Sequence, residues 1–147
     1  MLEIQVKSFQ TLSTEELYAV LKLRSEVFIV EQNCVYQDID GKDKNALHIL
    51  GFKDSVLVAY TRIFKPGNYF KKASIGRVVV AKKERKYKYG YDIMKASIKA
   101  IEMHFQVTTI KISAQEYLKQ FYENLGFEQI GDSYLEDRIP HIEMIKV

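Results

Sequence analysis

Residues 85–90 read Arg-Lys-Tyr-Lys-Tyr-Gly, with Lys82 and Lys83 just before them. The run leaves a valine-rich stretch with strand character and enters a segment with helical spacing. Its cations therefore gather at one helix N-terminus. The first backbone N–H groups of a helix have no partner within it, and the helix dipole adds partial positive charge there. Five cations against that dipole are unfavourable unless an anion is bound, which marks the loop as a phosphate or pyrophosphate site. Two other readings fit the same run. One is a solvated basic turn. The other is a polyanion or RNA surface in which Tyr87, Tyr89 and Tyr91 stack among the bases. The loop is neither a P-loop, because G-x-x-x-x-G-K-S/T is absent, nor a dinucleotide fingerprint, because it holds one glycine.

A second group of residues joins opposite charges. Arg24 follows Leu17 by seven residues and Leu21 by three, and precedes Phe28 by four, which puts it on the apolar stripe of a helix. Arg62 and Arg77 lie inside apolar strand-like runs. Guanidinium groups in such places need carboxylate or carbonyl partners, or must snorkel to the surface. Asp38, Asp40 and Asp43, grouped around Gly41 in a polar stretch, are the obvious partners. The expectation is that Arg24, with Arg62 or Arg77, ties this loop down to form one wall of a substrate pocket. Cys34 in the same stretch reads as a small semi-buried residue, since no neighbouring His or helix start activates it. No metal site is expected: the Asp-rich run lacks the spacing and terminal Glu of a calcium loop, and the three histidines lack ligand spacing.

The chain that must position these residues has 147 of them, 47% hydrophobic and 28% charged. That suits one globular domain, 1–147, with a real core. The net charge of +3 is too small to argue for a nucleic-acid binder by itself. No apolar run reaches the roughly 18 residues of a membrane helix, and no secretory pattern opens the sequence, so a cytoplasmic protein is expected. A single cysteine excludes an internal disulfide framework. Periodicity predicts a strand at 3–8, a helix from Ser13, with Glu16 three residues on as a capping box, to about 28, and strands at 47–53, 56–64 and 74–81, the first two joined by Asp54 and Ser55 in a tight antiparallel hairpin. It then predicts a helix from Gly90 to about 105, a strand at 108–113, a helix at 117–127 ending at Gly126, and strands at 128–135 and 141–147, split by a polar turn of Glu136, Asp137, Arg138 and Pro140. The order β-α-β-β-β-α-β-α-β-β implies a mixed sheet with helices packed on it and a βαβ unit at 74–113.

The basic run resembles the pyrophosphate-binding loop of the GNAT-type N-acetyltransferases, Arg/Gln-x-x-Gly-x-Gly/Ala, and Phe-Tyr-Glu-Asn-Leu-Gly-Phe (121–127) resembles their last-helix motif. Residues 23–43 and 137–144 resemble the ElaA-like branch. Lys88 stands where the pattern has its first glycine. The resemblance implies an α/β (α+β) GNAT-like fold, a mostly antiparallel mixed sheet of about seven strands with a splayed parallel pair and helices on both faces.

It also implies that acetyl-coenzyme A is the co-substrate, lying between the strands at 74–81 and 108–113. Backbone groups of Val78 and Val80 would pair with its pantetheine arm. N–H groups from Arg85 through Tyr89, Gly90 and Tyr91 would hold the pyrophosphate, with Lys86 and Lys88 as further contacts and Gln115 touching the cofactor. Tyr122 would protonate or hydrogen-bond the departing thiolate; without the motif it would read as a half-buried aromatic. A strand N–H near Val78 or Val79 would serve the oxyanion. The base that frees the amine is open among Glu31, His48 and His141. Glu31 follows an apolar helix end and is expected to be desolvated with a raised pKa, or paired with a neighbouring cation. Either histidine is equally readable as structural.

The implied acceptor is a small-molecule or peptidic amine, cationic if the acidic residues face it, with no nucleic acid or membrane as partner. The protein would be a monomer, or a homodimer paired through C-terminal edge strands. Transfer of another acyl group, or a non-catalytic role in binding RNA through the basic loop, are the alternatives.

Overall fold

The computed structural model describes residues 2–147, and its elements follow the expected order. β1 (Glu3–Ser8) leads to α1 (Thr14–Arg24). Ser13 caps α1 as its spacing predicts: its hydroxyl accepts from Glu16 N–H at 3.0 Å, and the Glu16 carboxylate accepts from Ser13 N–H at 2.8 Å. β2 (Leu47–Lys53) and β3 (Val56–Phe64) form the expected hairpin, with Asp54 and Ser55 both at positive φ, a turn whose twist suits its strands. β4 (Ser74–Val80), α2 (Tyr89–Phe105) and β5 (Ile110–Gln115) make the crossover unit. α3 (Lys119–Glu123), β6 (Glu128–Glu136) and β7 (Ile139–Lys146) complete the chain.

The strands fall into two sheets, β1-β2-β3-β4 and β5-β7-β6, each antiparallel throughout. The sheets touch where β4 and β5 begin. Ala73 and Ile110 form a parallel bridge there, and Lys111 N–H donates to Ala73 O at 2.8 Å. Beyond that point β4 and β5 are not paired. β4 also carries a bulge. Arg62 pairs with Gly76 and Tyr60 with Val79, so one residue of β3 faces Arg77 and Val78 together. Arg77 takes a φ of 49° there. Such an extra residue bends and twists its strand.

Helices cover both faces. Val20, Leu23, Val27 and Phe28 pack on Leu50, Tyr60 and Val79. On the other face Ile93, Met94 and Ile101 of α2 pack against Ile49, Ala59 and Ile63. Alternation along β3 sends Tyr60 to one layer and its neighbour Ala59 to the other.

Two elements differ from the sequence reading. α1 does not end near 28 but widens into a π-helical segment, Ser25–Glu31, with Gln32 N–H bonded to Val27 O and Cys34 N–H to Ile29 O, both at 3.2 Å. Val27, Ile29 and Val30 are β-branched and crowd an α-helical turn, and wide turns of this kind often sit beside functional sites. The helix expected at 117–127 is shorter. A 3-10 turn precedes the five residues of α3, although Gly126 takes the left-handed φ its position requires (97°).

The loop after the π segment is fastened from beneath, as the buried arginines imply. Arg24 is fully buried; it donates to Asp38 (2.8 Å), to the Asp38 carbonyl (3.0 Å) and to Asp43 (2.7 Å). Arg62 donates to Asp40 (2.6 and 2.9 Å) and Asp43 (2.9 Å). Arg77 donates to the Asp38 carbonyl at 2.9 Å, and its Nε lies 2.7 Å from Asp38 Oδ1, near enough for an ion pair though not aligned as a hydrogen bond.

Candidate active site

The parted strands open a cavity of about 470 Å³. One wall is β4. Ala81 N–H donates to Val58 O at 2.8 Å, so by strand alternation the N–H and C=O of Val80 turn away from β3 and into the gap. Val78 and Val80 both line it. One end of the cavity reaches the start of α2, where Lys88, Gly90 and Tyr91 line it. No side chain caps this helix. Lys88 holds a φ of 60°, the left-handed conformation that a glycine would supply, so the loop keeps its shape with a side chain in the glycine's place. Of the nearby acids, Lys53 takes Glu84 at 2.9 Å and Arg85 takes Glu31, while Asp92, in the first turn of α2, pairs with no cation among the described residues. Among the described residues no carboxylate pairs with Lys82, Lys83, Lys86 or Lys88. Strand groups turned away from β3, among them the Val80 carbonyl with Arg85 Nε as its donor at 3.2 Å, lead to an uncapped, cation-ringed helix start and fit a long amide-bearing arm with a diphosphate at its end.

Tyr122 lines the cavity from α3, held edge-on by Phe121 and Phe127 (ring centroids 5.0 and 6.0 Å away). Burial pushes its phenol above the usual tyrosine range. His141 lines the cavity from β7, directly opposite Gln115 of β5 in the sheet register. Its Nδ1 lies 2.7 Å from the Ile139 carbonyl. A carbonyl only accepts, so Nδ1 carries a proton and Nε2 is the ring nitrogen left to exchange one. The Glu136 carboxylate lies 3.4 Å from that Nε2.

The other base candidates are placed differently. Glu31 lines the cavity, but Arg85 grips its carboxylate at 2.5 and 2.8 Å. Those hydrogen bonds hold it below the usual carboxylate range, the reverse of the raised pKa expected from an apolar helix end. His48 is buried away from the cavity. Its Nε2 donates to the Asp43 carbonyl (2.9 Å), its Nδ1 lies 2.5 Å from the Tyr60 hydroxyl, and burial lowers its pKa, so it is a structural histidine. Among the pocket residues expected, Arg77 reaches the cavity wall, whereas Arg24, Asp38 and Asp40 lie behind it with their charges mutually satisfied. Lys86 and Tyr89 do not line the cavity; Lys86 Nζ sits 5.2 Å over the Tyr87 ring, and Tyr89 is buried beside it.

Sequence reasoning missed Gln32, Tyr36, Glu136 and Asp137, all of which line the cavity. Gln32 and Gln115 exchange amide hydrogen bonds at 3.2 and 3.3 Å, joining the π segment's end to β5. Burial pushes the Tyr36 phenol up to about 12. Asp137 begins a two-residue turn (φ 51° and 68°), and its carbonyl accepts from Cys34 Sγ–H at 3.1 Å, which joins the acidic loop to the β6–β7 turn. The alternation of β7 and the signal of a polar turn at 136–138 were both in the sequence; the pairing that folds that turn over the cavity was not.

A strand gap that ends on a basic helix start is the plan of acyltransferases, which take their acyl group from a coenzyme A thioester and pass it to an amine. Residues 9–147 match the Acetyltransferase (GNAT) domain, and the chain belongs to that family. It is 42% identical to Protein ElaA of Escherichia coli strain K12 over 148 residues, covering 99% of this chain and 97% of ElaA. The crystal structure of Escherichia coli ElaA superposes with a TM-score of 0.92 at 41% identity over 100% of both chains. That of an acyl-CoA N-acyltransferase from Pseudomonas aeruginosa superposes with a TM-score of 0.91 at 37% identity over 99% of each. Among the described residues no helix is long and apolar enough to cross a membrane, and no three His, Cys, Asp or Glu side chains group as metal ligands.

Proposed function

We propose that the protein moves the acetyl group of acetyl-coenzyme A to a primary amine, on a small molecule or peptide, by direct attack and without a covalent enzyme intermediate. The observation that carries this reading is that Tyr122 and His141 line one cavity whose far end is the uncapped, basic start of α2. The amine arrives as an ammonium and loses a proton to His141 Nε2. Glu136 at 3.4 Å steadies the charge the ring gains. The nitrogen lone pair attacks the thioester carbonyl, and a β4 N–H near Val78 or Val79 receives the oxyanion. The carbon–sulfur bond breaks, and the thiolate leaves with a hydrogen bond, and finally a proton, from the Tyr122 hydroxyl. The attacking nitrogen sheds its second proton to solvent as the adduct collapses, so amide and free thiol are the products, and the proton left on His141 replaces the one Tyr122 gives up.

Isothermal titration tests the first part. Acetyl-coenzyme A binds at micromolar levels, and the double variant Lys86→Glu, Lys88→Glu binds about tenfold or more weakly. Firm RNA affinity without coenzyme A binding would refute the proposal.

His141→Gln tests the base. Turnover falls about a hundredfold with little change in acetyl-coenzyme A affinity. A variant within about threefold of the parent's turnover would place the base elsewhere.

A further inference from the structure

The helix that carries Tyr122 is docked on the turn where the carrier's diphosphate would sit. α3 has five residues, Lys119–Glu123, and a helix so short takes its place from what it packs on. Its Phe121 presses on the start of α2. The ring centroids of Phe121 and Tyr91 lie 4.7 Å apart, and a Cβ at Gly90 would stand 3.2 and 3.3 Å from two atoms of the Phe121 ring. The missing side chain at Gly90 is what lets the two helices approach so closely. Just past α3, Asn124 donates to the Tyr91 hydroxyl at 3.0 Å. Phe121 in turn meets Tyr122 edge-on at 5.0 Å. Gly90, Tyr91, Phe121 and Tyr122 all line the one cavity. A continuous path of contacts therefore runs from the first turn of α2 to the phenol.

We propose that Phe121 and Asn124 are positioning residues that transmit diphosphate occupancy to Tyr122, so that the donor hydroxyl is held in line when the carrier bears a diphosphate. This rests on the coenzyme A reading above and adds to it a basis for selecting the carrier. Binding energy gained at one end of a long substrate can fix groups at the other when packed contacts join the two ends. A diphosphate against the backbone of Gly90 steadies the first turn of α2. That turn steadies Phe121 by ring contact and Asn124 by one hydrogen bond, and Phe121 is the edge on which Tyr122 rests. The consequence falls on the chemical step. A thioester that stops at pantetheine keeps the same leaving thiol but loses this setting, and it is turned over more slowly even when it saturates the cavity.

ADP tests this, because it carries the diphosphate without the arm that leads to Tyr122. The readout is the carbon-13 NMR signal of the Tyr122 ring, identified by its loss in Tyr122→Phe. Saturating ADP moves that signal in the parent. Asn124→Ala alters an exposed side chain and leaves the core alone, and it cuts the shift by about half or more. Asn124→Ala combined with Phe121→Leu abolishes the shift, while ADP affinity in isothermal titration stays within about twofold of the parent. A Tyr122 signal indifferent to bound ADP, or a shift as large in both variants as in the parent, would overturn the proposal. ADP that fails to bind where coenzyme A binds would overturn it as well, since the diphosphate would then have no seat at α2. Failure of the unaltered protein to bind coenzyme A would instead sink the reading of the preceding subsection.

Discussion

Tyr122→Phe turns over about a hundredfold more slowly than the parent while binding acetyl-coenzyme A almost as well. The substitution keeps the ring, and with it the edge-on contacts to Phe121 and Phe127, and removes the hydroxyl. Burial raises the phenol's pKa, so the group stays protonated throughout the neutral range and the basic limb of the rate profile does not belong to it. Its contribution is concentrated where negative charge grows on sulfur, which is why kcat rather than affinity carries the loss. Thioesters of more acidic thiols need that donor less, so the deficit narrows along a series of improving leaving groups. A variant within about threefold of the parent on acetyl-coenzyme A would end the proton-donor role.

Asp43→Ala lowers stability by about 3–5 kcal/mol and the thermal midpoint by roughly 10 °C or more. Asp43 Oδ1 accepts from Arg24 at 2.7 Å and from Arg62 at 2.9 Å, and both arginines are buried. Removing the carboxylate leaves two guanidinium groups short of a counter-charge in the interior. Burial by itself would raise the pKa values of Asp40 and Asp43, but hydrogen bonds from Arg62 to the first, and chiefly from Arg24 to the second, outweigh it and hold both well below the usual range. A depressed folded-state value stabilises the protein at any pH above the unfolded carboxylate's, near 4. That stability drains as acid approaches the lower folded values. Urea denaturation at neutral pH and at pH 3 therefore shows a steep acid loss in the parent and a shallower one in the variant. A loss below about 1 kcal/mol at neutral pH would mean that the cluster is not holding the loop.

Much of this architecture was legible because local chemistry agreed with the global arrangement. Ser13 and Glu16 announced a helix start, Asp54 and Ser55 a tight hairpin, and three arginines in apolar runs announced partners that only the Asp-rich loop could supply. The basic loop and Tyr122 were visible through motif spacing. The bulge at Arg77 and Val78 was not, because no residue type marks it, and the parting of β4 from β5 was implied by the resemblance alone. Glu31 was read from its own neighbours, the apolar Val27 to Val30. Its partner is Arg85, fifty-four positions away, so those neighbours alone could not choose between a raised pKa and the paired carboxylate that the structure shows. His48 and His141 were indistinguishable on paper; strand pairing alone set one beside Tyr60 and the other opposite Gln115.

The π-helical stretch from Ser25 to Glu31 makes the chain's length here as consequential as its chemistry. Each residue of an α-helix turns the coil by about 100°. A wide turn already holds one residue more than the ordinary pitch does. One further residue inserted within this stretch swings Glu31 and Gln32 to another azimuth, severing their links to Arg85 and Gln115 while Arg24 keeps its place. A comparable insertion in the polar segment 65–72 leaves those links alone. Tolerance of lengthened alleles in a selection for activity would therefore break sharply between the two regions, although both lie outside the sheets.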